Sequence, residues 1–327
     1  MRTTTSITAL LLLVALAAPA APPPVEAQPT RQVHRIGVLD GGSGAPGFAA
    51  FRQGLHDLGY TEGGNLLLEL RSAEGKPDRL PQLAADLVRL KVDVIVAVFA
   101  TPTRAAHQAT RSIPIVMIAV GDPVGVGLAA SLARPGGNVT GTVSFGPELA
   151  TKSLHLLKET LPDLRRLTIL WNPSNPTHAP VLKDVHPAAR SLAIEVETLP
   201  VARAEEFEAA FRAAARDAAA AWILGDALAV RHRARIATLA ADARLPTLFL
   251  ASLHVEAGGL MSYGPHFPTI FRRSATYVDR ILKGARPGDL PIEQPTAFEL
   301  SINLKAAQTL GLTIPRSVLL QATQVIE

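Results

Sequence analysis

Several short loops in this 327-residue chain carry side chains that could do chemistry, and each follows an apolar run. Asp40-Gly-Gly-Ser-Gly-Ala-Pro-Gly47 sets Gly42, Gly44 and Gly47 in a G-x-G-x-x-G spacing, after one such run and before a helical pattern. That context fits a dinucleotide phosphate loop, with Glu62 or Glu69 as the ribose acid. Pro46 opens the helix inside the motif, and the N-terminus carries an export signal, described below, which leads away from any nicotinamide pool. No cofactor is therefore expected. A flexible strand-end loop is one remaining reading. The other is a loop whose amides, with Asp40 and Ser43, touch a small ligand.

Phe99-Ala-Thr-Pro-Thr103 ends another apolar run, with Thr101 where an N-cap belongs and Pro102 at the first helical position. The helix end there either caps itself or offers its amides and a hydroxyl to a carboxylate. Asp122 precedes Pro123, so it either initiates a turn or meets a ligand. Trp171-Asn-Pro-Ser-Asn-Pro176 supplies an indole and two amides, Asn172 and Asn175, for stacking and polar recognition. Asp226, in Gly225-Asp-Ala227, is a fair partner for a ligand ammonium or an ordinary N-cap before Val230. Catalytic patterns are poor. No Gly-x-Ser-x-Gly, His-Glu-x-x-His or Walker loop is present. His178 and His186 are the only clustered histidines, and Pro180 and Pro187 disrupt the helical spacing a metal pair would need, so neither a metal nor a catalytic residue is expected.

The elements that must position these loops alternate regularly. Continuous apolar runs at 34–40, 65–70, 92–98 and 113–120 read as strands, with helices predicted over 46–58, 78–90 (capped by Asp78) and 102–110. A Gly-rich break at 136–141 interrupts the rhythm. It then resumes, with helices at 147–160, 180–192, 204–215 and 231–243 and strands at 166–171, 194–199, 220–224 and 246–250. A second break at 258–264 precedes a helix over 268–282, a strand at 298–304 and a short helix to 310. Continuous rather than alternating apolar strands, each followed by a helix, mean parallel sheets covered on both faces. Two such Rossmann-like units predict two α/β lobes with a ligand cleft between them, because ligands sit beyond the carboxyl ends of parallel strands.

Arg2, the uncharged run 7–18 and the small-residue stretch 18–28 have the parts of a secretory signal, and the run is too short to span a membrane. Cleavage is expected after Ala27. With no cysteine there is no lipid attachment, no disulfide and no thiolate chemistry, which predicts a freely diffusing periplasmic protein rather than a lipoprotein. Cleavage would remove Arg2 and Glu26 together, so the net charge stays +4. No basic tract of the kind that binds nucleic acid is present. A chain that is 48% hydrophobic can bury a large core.

The strings Phe51-Arg-Gln-Gly-Leu-His-Asp-Leu-Gly-Tyr60, Asp122-Pro-Val-Gly-Val-Gly-Leu128, Leu132-Ala-Arg-Pro-Gly-Gly-Asn-Val-Thr-Gly141, Trp171-Asn-Pro-Ser174, Gly259-Leu-Met-Ser-Tyr-Gly264 and Ile302-Asn-Leu-Lys305 carry a resemblance. From about Arg35 onward the chain resembles ABC-transporter substrate-binding proteins of the tryptophan/tyrosine-permease type, which have the periplasmic-binding-protein type I fold. The resemblance implies chain crossings near 141–145, 262–265 and 288–296. It implies an N-terminal lobe of 34–142 plus 264–288 and a C-terminal lobe of 143–263 plus 289–327. It also implies an amino-acid-like ligand held by lobe closure without chemistry, a monomer, and a permease and an ATPase as partners. Family members with known ligands resemble aromatic amino-acid binders; on that pattern Thr101 would hold the carboxylate and Asp226 the ammonium. The loop after Phe249 departs from the pattern, reading Ala251-Ser-Leu-His254 where related binders can carry acids. A sensor subunit presenting the closed form to a receptor, or a secreted α/β enzyme with a nucleophile–base pair in the cleft, are the alternatives; neighbouring genes and cleft geometry respectively discriminate them.

Overall fold

Five apolar runs make the first sheet: β1 (His34–Asp40), β2 (Leu66–Ser72), β3 (Val94–Val98), β4 (Ile115–Val120) and β5 (Val139–Val143). All pair in parallel, in the order β2-β1-β3-β4-β5. The computed structural model describes residues 33–44 and 47–327. The expected signal sequence and Pro46 therefore lie outside the described residues. Every residue of β3 and β4 is buried, so neither strand needs a polar face and both can be continuous apolar runs. The period of two still sorts them. Val94, Val96 and Val98 point to one core, with Phe51 and Leu55 of α1 (Phe48–Asp57). Ile95 and Ala97 point to the other, with Leu80, Ala84 and Leu87 of α2 (Leu80–Arg89) and Ala105 and Ala106 of α3 (Ala100–Ala109).

After β5 the chain leaves this sheet through α4 (Pro147–Thr160) and builds a second one. In sequence come β6 (Arg166–Trp171), α5 (His178–Ser191), β7 (Glu195–Pro200), α6 (Glu206–Asp217), β8 (Ala220–Ile223), α7 (Ala227–Arg231), α8 (Arg233–Asp242), β9 (Thr247–Phe249), α9 (Ser252–Glu256) and β10 (Met261–Pro265). The next helix, α10 (Phe267–Leu282), returns to the first sheet and packs against α1, burying Ile270, Phe271, Tyr277 and Val278 in its core. Glu293 bridges to Thr142 beside β5. The chain then re-enters the second sheet through β11 (Phe298–Asn303), α11 (Leu304–Thr309), α12 (Arg316–Leu319) and β12 (Gln324–Ile326). That sheet runs β12-β11-β10-β9-β8-β6-β7, parallel except where β10 meets β11. One face carries Trp222, Leu248 and Ile302 beneath α4 and α5; the other carries Ile223 and Phe249 beneath α6 and α8.

Several expected boundaries are corrected. The Gly-rich stretch 136–141 taken as a break runs into β5, which starts at Val139. Gly141, at φ 135°, lies where a Cβ would come within 2.0 Å of the Met117 carbonyl oxygen, so only glycine lets the strand approach β4. The second break contains β10. Asp78 caps nothing: it sits in a 3-10 turn over Pro77–Arg79, ahead of α2. Residues 180 and 187 do not break α5, which starts at His178 and carries Pro187 inside it. The helix expected over 231–243 is α8, and a further short helix, α7, precedes it.

Candidate functional site

In each sheet the strand order reverses direction once, and ligands in open parallel sheets sit at that switch point, beyond the carboxyl ends of the strands. In the first sheet the switch lies between β1 and β3, in the second between β6 and β8. The loops that leave these four strands meet one another. Arg104 of α3 donates to the Ser174 carbonyl (3.3 Å), and Arg231 of α7 donates to the Gly42 carbonyl (3.2 Å), so each joins loops of opposite sheets.

Three small cavities, of about 30, 40 and 30 Å³, remain between these loops, and Phe99 lines all of them. Phe99 ends β3 at φ 68°, a left-handed conformation that costs a non-glycine residue energy and clusters at functional sites. This turn starts α3 at once. The N-cap is thus Phe99, not Thr101, and Thr101 and Pro102 lie inside the first turn. A phenylalanine cannot cap, and among the described residues no side-chain cap meets this helix end. Its amides therefore face the cleft without a protein acceptor, at the positive pole of the helix.

Opposite stands Asp226, 6% exposed and lining two of the three cavities. Its Oδ1 accepts from the Ala229 amide (2.9 Å), capping α7, and its Oδ2 accepts from Asn172 Nδ2 (2.6 Å). A carboxylate has about four acceptor sites, so the N-cap role does not exhaust it. Asn172 is positioned in turn by His178, whose Nδ1 accepts from the Asn172 amide (2.9 Å). His178 Nδ1 is therefore unprotonated. Burial pushes the imidazole below its ordinary pKa, against the opposing pull of Asp226 and the Gly225 carbonyl. It is a neutral ring fixed in one tautomer.

The remaining predicted residues divide. Asp40 accepts from the Gly42 amide (2.9 Å) and from Ser43 Oγ (2.7 Å), so the two hold their own loop and line none of the three cavities. Gly42, at φ 99°, presses on the loop after β2: a Cβ there would lie 2.2 Å from the Gly75 amide nitrogen. Its glycine is explained by packing, not by a pyrophosphate. Asp122 accepts from the Gly125 amide (2.8 Å) and also lies off the cavities; its charge, after burial, helps raise the Asp184 carboxyl of α5 above the usual range. Trp171 packs against the second sheet's core and lines none of the three, and its buried Nε1 has no partner.

Asn175, the second amide of the Trp171–Pro176 loop, lines two of the cavities, whereas sequence reasoning missed Ser144, Phe267, Phe271 and His254. Phe267 and Phe271 come from α10 far along the chain, and Ser144 from the exit of β5. His254, 2% exposed, sits on α9 with its ring stacked on Phe249 at 4.7 Å. Burial pushes its pKa down to about 4, against the Ala251 and Ala229 carbonyls. The signal for it was the unusual loop after Phe249, noticed for the acids it lacks rather than for its histidine.

Among the described residues no helix is long and apolar enough to cross a membrane, and no cluster of three or more metal-ligating His, Cys, Asp or Glu occurs. A family model described as ABC transporter substrate binding protein matches residues 39–326. A curated relative, the tyrosine-binding protein of Clostridioides difficile (strain R20291), is 27% identical over 253 residues, 77% of this chain and 73% of that protein. Two crystal structures align over 90% of this chain and all of theirs, each with TM-score 0.85. One is a conserved domain protein from Vibrio cholerae O1 biovar El Tor (30% identity). The other is an ABC domain from Streptococcus pneumonia in complex with L-Trp (27% identity).

Proposed function

Because the chain belongs to the family of ABC transporter substrate-binding proteins and has the type I periplasmic-binding fold, we propose that its cleft closes on a small amino acid and presents it to a permease and its ATPase. The observation that carries this reading is the polarity of the cleft. An uncapped helix N-terminus on the first-sheet side faces a buried carboxylate on the second-sheet side. A zwitterion spans that pair: its carboxylate meets the α3 amides beside Thr101, and its ammonium meets Asp226. The relatives' tyrosine and tryptophan support an aromatic side chain.

On this reading the lobes are 34–142 with 264–288, and 143–263 with 289–327, hinged where the chain passes between sheets. Arg104 and Arg231 latch the closed form. The protein acts without chemistry, since the cleft's His178 has its lone pair committed to the Asn172 amide. It works as a monomer, is exported by a signal cleaved after Ala27, and stays free of lipid. Calorimetry of the protein from residue 28 onward, against the twenty amino acids, tests the proposal. Heat and thermal stabilisation with Trp, Tyr or Phe are expected; none at millimolar concentration would overturn it.

A further inference from the structure

The cavity beside Asp226 that lies deepest toward α9 is almost wholly apolar: Phe99, Leu250, Leu253, Phe267 and Phe271 surround it. Its polar side chains are Asp226, Ser144, whose Oγ donates to the Ala119 carbonyl (3.0 Å), and His254. The His254 side chain is 98% buried, and its Nε2 has no hydrogen-bond partner. The other ring nitrogen, Nδ1, lies 3.3 Å from the Ala251 carbonyl oxygen. The Ala251 and Ala229 carbonyls both draw on the ring's one proton; with that proton on Nδ1, toward Ala251, Nε2 presents a lone pair. Burial keeps the ring neutral at any physiological pH, with its pKa near 4. A buried acceptor left without a donor is disfavoured, and native proteins leave few such groups. Of the buried unpartnered side-chain polar atoms among the described residues, only His254 Nε2 belongs to a residue lining a cleft cavity; those of Ser153, Trp171 and Ser262 do not.

Aromatic rings around a space, with one acceptor that no donor meets once Asp226 takes the ammonium, describe the complement of a flat apolar group that bears one donor. We infer that this cavity is the side-chain subsite of the ligand, and that His254 Nε2 accepts from a phenol O–H or an indole N–H, selecting tyrosine-like or tryptophan-like side chains over phenylalanine. The assignment rests on the amino-acid reading of the cleft. The cavity is adjacent to Asp226, so an ammonium on that carboxylate puts the side chain within reach of α9. At about 30 Å³ it admits little more than water with the loops as they lie here. The ring therefore enters while the cleft is open, displacing the Phe99 side chain that divides the cavities.

The test compares Tyr, Trp and Phe by calorimetry on wild type, His254→Phe and His254→Gln. Wild type is expected to prefer Tyr or Trp over Phe by about tenfold, the scale of one neutral hydrogen bond. His254→Phe should lose that preference while keeping its affinity for Phe. His254→Gln, which can restore an acceptor, should recover part of it. In 15N-histidine-labelled wild type, the unprotonated Nε2 resonance should move on adding Tyr but not on adding Phe. An unchanged Tyr-to-Phe ratio in a folded His254→Phe, with Asp226→Asn still abolishing binding, would overturn the subsite and leave the amino-acid reading standing. Failure of all three ligands to bind wild type would sink both. If His254→Phe does not fold, the resonance and the glutamine variant decide.

Discussion

Replacing Asp226 by asparagine separates the two roles that its carboxylate holds. The side chain keeps its size, and its Oδ1 can still accept from Ala229 and cap α7. The other position becomes an N–H₂ group facing Asn172 Nδ2, now donor against donor at 2.6 Å. Asn172 cannot flip to repair this, because its Oδ1 already accepts from the Ser174 amide (2.9 Å). Loss of one hydrogen bond to a charged group costs about 1.5–3 kcal/mol of stability. The loss for the ligand is larger. A buried ammonium deprived of its carboxylate costs about 2–5 kcal/mol, which is roughly 30-fold to several-thousand-fold in Kd. Calorimetry with the best-binding aromatic amino acid reads the second effect; a thermal melt without ligand reads the first. Asp226→Ala removes the cap too and should lower the melt further, by about 1 kcal/mol, without weakening binding much beyond Asp226→Asn. If Asp226→Asn binds within threefold of wild type, Asp226 is an N-cap only and the ammonium lies elsewhere.

Other perturbations read other parts of the molecule. Phe271→Ala empties a site only 1% exposed between α10 and the first sheet, and should cost about 3–5 kcal/mol in a denaturant titration. Gly141→Ala forces a methyl against the Met117 carbonyl at positive φ, and should prevent soluble expression or lower the melting temperature far more than an exposed Gly→Ala such as Gly137→Ala. Glu293 is held below the usual carboxylate range first by its hydrogen bonds from Arg273, against burial. The stability it contributes is present above the ordinary value of 4.5 and lost as pH falls through the lowered folded value. Glu293→Gln should flatten the acid limb of a pH-dependent melt, by under about 1 kcal/mol for a pair this exposed. Asp184, raised by burial and then by Asp122, opposes the folded, closed form while ionised. Asp184→Asn should therefore tighten ligand binding slightly at neutral pH, and calorimetry at neutral and acidic pH should find a smaller rise in affinity on acidification in the variant than in wild type.

The two-sheet architecture was legible because its strands are buried on both faces. A fully buried parallel strand must be a continuous apolar run, and 94–98 and 115–120 are. The strands that escaped notice break that rule for identifiable reasons. β5 passes so close to Met117 that it needs Gly141, and β10 pairs antiparallel with β11 and ends in Gly264-Pro265. Glycine was taken as punctuation where it was a condition of close packing. The helix start at Ala100 was misplaced for a related reason. Local cap chemistry at Thr101 is outweighed by the left-handed turn at Phe99, which only the tertiary surroundings of β3 can impose.

The site was half legible, and the dividing line is physical. Residues that immediately follow parallel strands at the switch points, Phe99, Asn172 and Asp226, reach the cleft because the topology carries them there whatever their neighbours do. Asp40, Ser43 and Asp122 occupy equivalent places in sequence but spend their oxygens on their own loops, and nothing in a residue string distinguishes a carboxylate facing a ligand from one closing a turn. The difference lies in saturation. Asp40 is met from within its loop by an amide and a hydroxyl, whereas Asp226 is met by a helix amide and by an amide from a neighbouring strand end, with open space beside it. His254 takes the same logic to its limit. It is the cleft histidine with a nitrogen left unmet, while His178, equally buried, has its Nδ1 bound to a backbone amide. An unmet acceptor among aromatic rings is a statement about the missing partner's chemistry, and it makes the Ala251-Ser-Leu-His254 loop a question of which ring the cleft prefers.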